Sequence, residues 1–256
     1  MIVSQLLEVW RVRTILLRLL KLFLTAVLLF LSVGLAEALA RLPVRLDRDR
    51  VILPLVCGFG GGLLFFSLVS RFLILYVFGH ELTHWLAAKL FRRRTGRFRI
   101  GATSGSVAIE RPNIWITLAP YVVPVYAVGS IGAYGVVSFF MTPTPIWLTK
   151  TAMAVLGITY AFHVRLTVHA LSRPQSDFAA YGVLFSLAFV FFCNVALLFC
   201  ALVIATSQWG HGIVLLTAIL NRNGQALLDG LLWCRDWVRT SGLFPGVAMA
   251  TGKVTL

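Results

Sequence analysis

The sequence predicts an all-α polytopic membrane protein with about six transmembrane helices and a small β-hairpin inserted between two of them. Three observations predict it. Hydrophobic residues make up 59% of the 256 positions and charged residues only 12%, with a mean hydropathy of +0.89, whereas soluble domains carry about 25% charged residues. Several apolar runs approach the roughly 20 residues that a helix needs to cross a bilayer. The basic residues gather at the ends of those runs rather than on one polar face.

The formal net charge is +14, which in a soluble protein would suggest nucleic acid. Here the clustering of Lys and Arg beside apolar runs is the positive-inside pattern of a membrane protein, so the expected surroundings are a lipid bilayer, with no nucleic-acid partner. Cys57, Cys193, Cys200 and Cys234 lack CxxC spacing and are expected to be buried small hydrophobes.

Three regions follow in order. Residues 1–50 form an N-terminal anchor helix and charged loop. Arg11, Arg13 and Arg18 precede, and Lys21 opens, an apolar run from about Leu19 to Leu39, which is read as a retained anchor because no convincing small-residue cleavage site follows. Glu37 and Arg41, four apart, suggest an ion pair at the helix end, and Pro43 with the alternating Asp and Arg up to Arg50 marks a surface loop.

Residues 51–206 form the membrane-embedded core. Val51 to Phe91 is too long for one crossing, and a break is expected either at the glycines from Gly58 to Gly62 or near Arg71. After the basic stretch Lys89, Arg92, Arg93 and Arg94, alternation at Phe98 to Ile100 and Val107 to Ile109 around a Gly, Ser and Thr cluster predicts the hairpin. Further crossings are expected at Asn113–Phe140, Ile146–Leu171 and Phe178–Thr206, with turns at Pro143 and Pro145 and at Arg173 and Pro174. Residues 207–256 alternate short apolar pieces with Asn221, Arg222, Asp229, Arg235 and Asp236, the pattern of an interfacial tail.

The chemistry is concentrated in His80-Glu81-Leu82-Thr83-His84. On a helix this HExxH spacing puts two imidazoles one turn apart on the same face, able to bind one Zn²⁺, with Glu81 placed as general base. Two His and a Glu are expensive to bury in an apolar helix without partners, so the cluster reads as a functional site rather than as packing. A catalytic zinc commonly takes three protein ligands and a water, which leaves one to find.

The candidates are Asp177 and Asp229, with His163 and His169 as nitrogen alternatives or as groups that orient a ligand. Depth favours Asp177. His84 lies about 8 Å from the basic end of its helix, so the metal belongs in the cytoplasmic leaflet. Crossing out from Asn113 and back from Ile146 returns the chain to that side at Arg173 and Asp177, whereas Asp229 falls near the opposite face unless the tail also crosses. Ser104-Gly105 resembles part of a serine nucleophile motif but sits in a polar hairpin without a positioned base. No internal repeat supports a transporter.

Phe78-Gly79-His80-Glu81-Leu82-Thr83-His84, followed by Trp85-Leu86-Ala87-Ala88 and later by Leu118-Ala119-Pro120, resembles the site-2 protease family of intramembrane zinc metalloproteases over residues 70 to 195. The resemblance implies hydrolysis of peptide bonds in or near transmembrane segments of membrane-protein substrates, and a third ligand Asp within an LDG motif. Gln175-Ser176-Asp177-Phe178 departs from that form, while Leu228-Asp229-Gly230 reads LDG but lies in the tail. The departure sustains a second expectation, a catalytically inactive scaffold or receptor on the same fold. The resemblance also gives the hairpin a role as an edge that receives substrate as an added strand. The compartment expected is the cell membrane of a prokaryote; nothing in the sequence signals an oligomeric state.

Overall fold

The computed structural model describes residues 2–42, 46–69, 72–101, 104–172 and 175–240. Pro43, Arg71, Arg173 and Pro174, which the sequence assigns to turns, lie outside the described residues. Among the described residues the chain forms nine α-helices and one antiparallel hairpin. The helices are α1 (Ile2–Arg41), α2 (Leu53–Leu68), α3 (Leu73–Leu90), α4 (Ile114–Val122), α5 (Val125–Phe140), α6 (Ile146–Leu171), α7 (Ser176–Tyr181), α8 (Val183–Ala205) and α9 (Trp209–Thr240). Strands β1 (Thr95–Ile100) and β2 (Gly105–Ile109) lie between α3 and α4.

Among the described residues, four helical stretches are long and apolar enough to cross a membrane: Trp10–Arg41, Arg48–Leu68, Ile146–Leu171 and Val183–Ala205. The pair α4 and α5, bent by 72° at its break, brings the number to five if it counts as one span. This is a membrane protein. The difference from six lies in α3, whose 18 residues include His80, Glu81, His84 and Lys89, which dilute the apolar run.

The break in the long apolar stretch falls between α2 and α3, and the helix runs straight through the glycines. Their role is close packing. A Cβ at Gly58 would lie 2.2 Å from the carbonyl oxygen of Ala154, and one at Gly157 would lie 2.2 Å from that of Leu55. With Gly62 facing Ala161, small residues on both helices bring α2 and α6 into backbone contact, the usual device for joining helices in lipid. Before α2, Asp47 accepts hydrogen bonds from the N–H groups of Asp49 (2.9 Å) and Arg50 (2.8 Å) and so caps a π-helical turn, Arg48–Ile52.

α3 ends where Arg92 takes a left-handed conformation (φ 52°) and Arg93 donates to the Ala88 carbonyl at 2.8 Å. That is a Schellman-type stop with Arg where Gly is usual. The chain turns there into the hairpin, which pairs Phe98 with Val107 and Ile100 with Gly105. Phe98 stacks edge-on against Phe78 of α3, so Arg97 and Arg99 occupy the other face of the strand.

Two compact units are present, Met1–Leu29 with Val44–Asn194, and Phe30–Pro43 with Val195–Leu256. The first is built around Leu118, Tyr121, Ala170, Phe178, Phe189, Val190 and Cys193. In the second, Leu220 packs over Gly34, and Glu37 binds Arg41 at 2.7 Å and Arg222 at 2.6 Å. The expected pair at the end of α1 is therefore present, with an added partner from α9. Within the tail, Trp209–Thr240 form one helix of 32 residues. Of the four cysteines, Cys193 alone is buried, because the others sit on helix faces turned outward.

Candidate metal centre

Helix α3 supplies the first two groups. His80 and His84, four residues apart, share a face and stack edge to face with ring centroids 4.9 Å apart. The third group comes from α7: the Oδ2 atom of Asp177 lies 3.6 Å from Nε2 of His80 and 3.6 Å from Nε2 of His84. Zinc bonds of about 2.0–2.2 Å in tetrahedral geometry separate ligand atoms by about 3.3–3.6 Å. The three donor atoms, all within 4.8 Å of one another, fit a single ion.

His84 is oriented from its far side. Its Nδ1 lies 2.8 Å from the carbonyl oxygen of Ile116 in α4. A carbonyl only accepts, so the proton sits on Nδ1 and the Nε2 lone pair is left for a metal. The carbonyl is placed by a local signal, the Asn113 side chain, which accepts from the Ile116 N–H at 2.9 Å and begins α4.

Asp177 lies on α7, outside the candidate spans. Burial raises its carboxyl pKa, but the adjacent imidazoles outweigh it and hold the group well below the ordinary carboxylate range. The carboxylate form is the one that binds a cation. Its Oδ2 also accepts a hydrogen bond from the Tyr121 hydroxyl at 3.0 Å.

Glu81 is buried beside the pair, at 9% exposure. Its neighbour on the hairpin is Gly105, where a Cβ would lie 2.7 Å from the Glu81 Cγ and 2.7 Å from the Val77 Cγ1. The absence of a side chain there lets β2 lie directly on the motif helix. A second close approach occurs at Gly79, where a Cβ would come within 2.7 Å of the Tyr126 ring.

A cavity beside His80 is lined by Tyr76 and Thr83 of α3, Pro120 and Tyr126 from the bent pair, and Phe162 and His163 of α6. His163 thus contributes to the wall next to His80, and neither it nor His169 belongs to the three-residue cluster. Asp229 is exposed on α9 and is likewise outside it. Ser104 is an exposed residue of the hairpin turn.

The structure brings together His80, His84 and Asp177 as the sequence predicts. Sequence reasoning missed Ile116, whose contribution is a backbone carbonyl that no residue type signals. It missed Tyr121 as well, although that residue directly follows the Leu118-Ala119-Pro120 stretch and a phenol in an apolar run needs a partner. No protein-family model, no curated protein and no solved structure matches this chain.

Proposed function

We propose that the protein is an intramembrane zinc metalloendopeptidase of the site-2 protease type, which hydrolyses peptide bonds in or near transmembrane segments of other membrane proteins. The observation that carries the reading is the convergence of His80, His84 and Asp177 on one point with a buried Glu81 on the same helix. Two nitrogens and one carboxylate oxygen are a donor set suited to Zn²⁺ and leave a coordination position open. The resemblance around Phe78–Ala88 supports the same reading.

When bound, the metal supplies Lewis acidity for water activation and carbonyl polarisation. The chain's own groups do the rest. Glu81 removes a proton from the attacking water and delivers it to the departing amine, the two-way transfer that a buried carboxylate next to the reacting atoms can perform. His84, locked by Ile116, and Asp177, held by Tyr121, keep the three donors fixed while the bond breaks. The hairpin offers backbone groups to an unwound substrate, and Gly105 brings that edge to Glu81. The host membrane in this reading is the cell membrane of a prokaryote, with the site in its cytoplasmic leaflet.

Glu81→Gln tests the mechanism. It keeps the metal ligands, so metal content stays at the wild-type level, while cleavage of a membrane-protein substrate falls by at least about 100-fold. Undiminished cleavage by the purified variant contradicts the assignment. The departure from LDG at Gln175-Ser176-Asp177-Phe178 favours an inactive scaffold instead. A wild-type protein that binds metal but cleaves no transmembrane substrate supports that second reading.

A further inference from the structure

We infer that Tyr121 is a positioning residue for the third metal ligand and that Asn194 of α8 fixes it in turn. The inference rests on the reading of His80, His84 and Asp177 as a metal site. Asp177 sits in the first turn of α7, a helix of only six residues with no side-chain cap. So short a helix has little stability of its own and cannot by itself fix a carboxylate.

The Tyr121 hydroxyl supplies what α7 lacks. It donates at 3.0 Å to Oδ2 of Asp177, the same oxygen that faces both imidazole nitrogens at 3.6 Å. A carboxylate oxygen has two lone pairs, so it can accept this proton and still face a cation. The phenol ring is only 1% exposed. It stands edge-on to His80 at 5.3 Å and to Phe178, the neighbour of Asp177, at 4.6 Å. One side chain therefore bears on two of the three ligands.

The backbone of Tyr121 is secured separately. An α-helix leaves its last four carbonyls without donors of its own, and α4 ends at Val122, just before the 72° bend. The Asn194 Nδ2 group donates to the Tyr121 carbonyl at 2.9 Å and, with its other proton, to the Val190 carbonyl at 2.9 Å. Asn194 thus ties the end of a broken helix to an unbroken one, and the phenol projects from a fixed point. The chain of contacts runs from α8 through Tyr121 to the atom that would bind metal. Outer partners of this kind typically change metal affinity by about 10–100-fold.

The test is a Co²⁺ titration of the purified full-length protein in detergent micelles, read by visible absorption and by competition with a chelator. Tyr121→Phe keeps the ring and its packing and removes only the hydroxyl. It is expected to bind Co²⁺ about 10–100-fold more weakly, with altered ligand-field bands and unchanged helix content before metal is added. Tyr134→Phe, which removes a hydroxyl paired with Thr149, leaves affinity and spectrum unchanged. Asn194→Ala shifts affinity in the same direction as Tyr121→Phe, and its result decides the matter if Tyr121→Phe does not fold. Wild-type affinity and spectrum in Tyr121→Phe, together with loss of uptake in His80→Ala, overturn the role of Tyr121 and leave the metal site standing. A wild-type protein that takes up no Co²⁺ overturns both.

Discussion

His84 meets the carbonyl of Ile116 at 2.8 Å, so the second imidazole of the motif is aimed by the helix that follows the hairpin. The carbonyl is in place because Asn113 starts that helix by accepting from the Ile116 N–H. Asn113→Ala removes the cap and is expected to cost about 1 kcal/mol of stability. Asn113→Asp, which retains an acceptor, keeps most of it. Thermal unfolding of both variants in one detergent, followed by circular dichroism, gives the comparison.

The contact between α2 and α6 makes a sharper prediction about glycine. Gly157→Val puts a side chain where a Cβ would already lie 2.2 Å from the Leu55 carbonyl oxygen and 2.6 Å from the Phe59 nitrogen. Backbone atoms cannot swing aside, so the helices must separate, at a cost of about 3 kcal/mol or more. Gly60→Ala, on the same helix as Phe59 but with nothing within 4 Å of the new Cβ, is expected to be neutral or stabilising by up to about 1 kcal/mol. Equal destabilisation by the two substitutions contradicts the packing assigned here.

Gly105 ties the hairpin to Glu81. In Gly105→Ala the added methyl meets the Glu81 side chain at 2.7 Å and displaces it, because Val77 and the Arg99 carbonyl close the other directions. On the proposed mechanism, a displacement on the order of 1 Å at Glu81 is expected to reduce turnover by about 100-fold. His80, His84 and Asp177 do not move, so on the proposed reading metal content stays at the wild-type level. Ser106→Ala, at the next and exposed position, leaves turnover unchanged. Steady-state cleavage rates alongside metal analysis separate the two effects.

Some of this was legible in the sequence for physical reasons that can be named. Ile146–Leu171 is a single helix with the predicted bounds because Pro145 and the end of the apolar run mark it chemically. The hairpin follows from alternation around Gly101–Ser106. Asp177 was favoured over Asp229 by the side of the membrane each was expected to reach, and it lies 3.6 Å from both imidazoles. What stayed hidden depends on tertiary contact. Gly58 to Gly62 and the region near Arg71 read equally well as the break, and only the opposing Ala154 and Ala161 show that the glycines serve packing instead. The bend between α4 and α5 was concealed within Asn113–Phe140, where hydropathy does not change although Pro120 and Pro124 interrupt the hydrogen-bonding pattern. The hydrogen bond from Tyr121 to Asp177 spans 56 residues and leaves no local trace.

The metal content of the purified protein, measured by inductively coupled plasma mass spectrometry for wild type, Asp177→Ala and Asp229→Ala, tests the proposed zinc site. One zinc per chain is expected in wild type and in Asp229→Ala, and loss of that zinc in Asp177→Ala. Zinc retained in full by Asp177→Ala, or lost in Asp229→Ala, would contradict the proposed site.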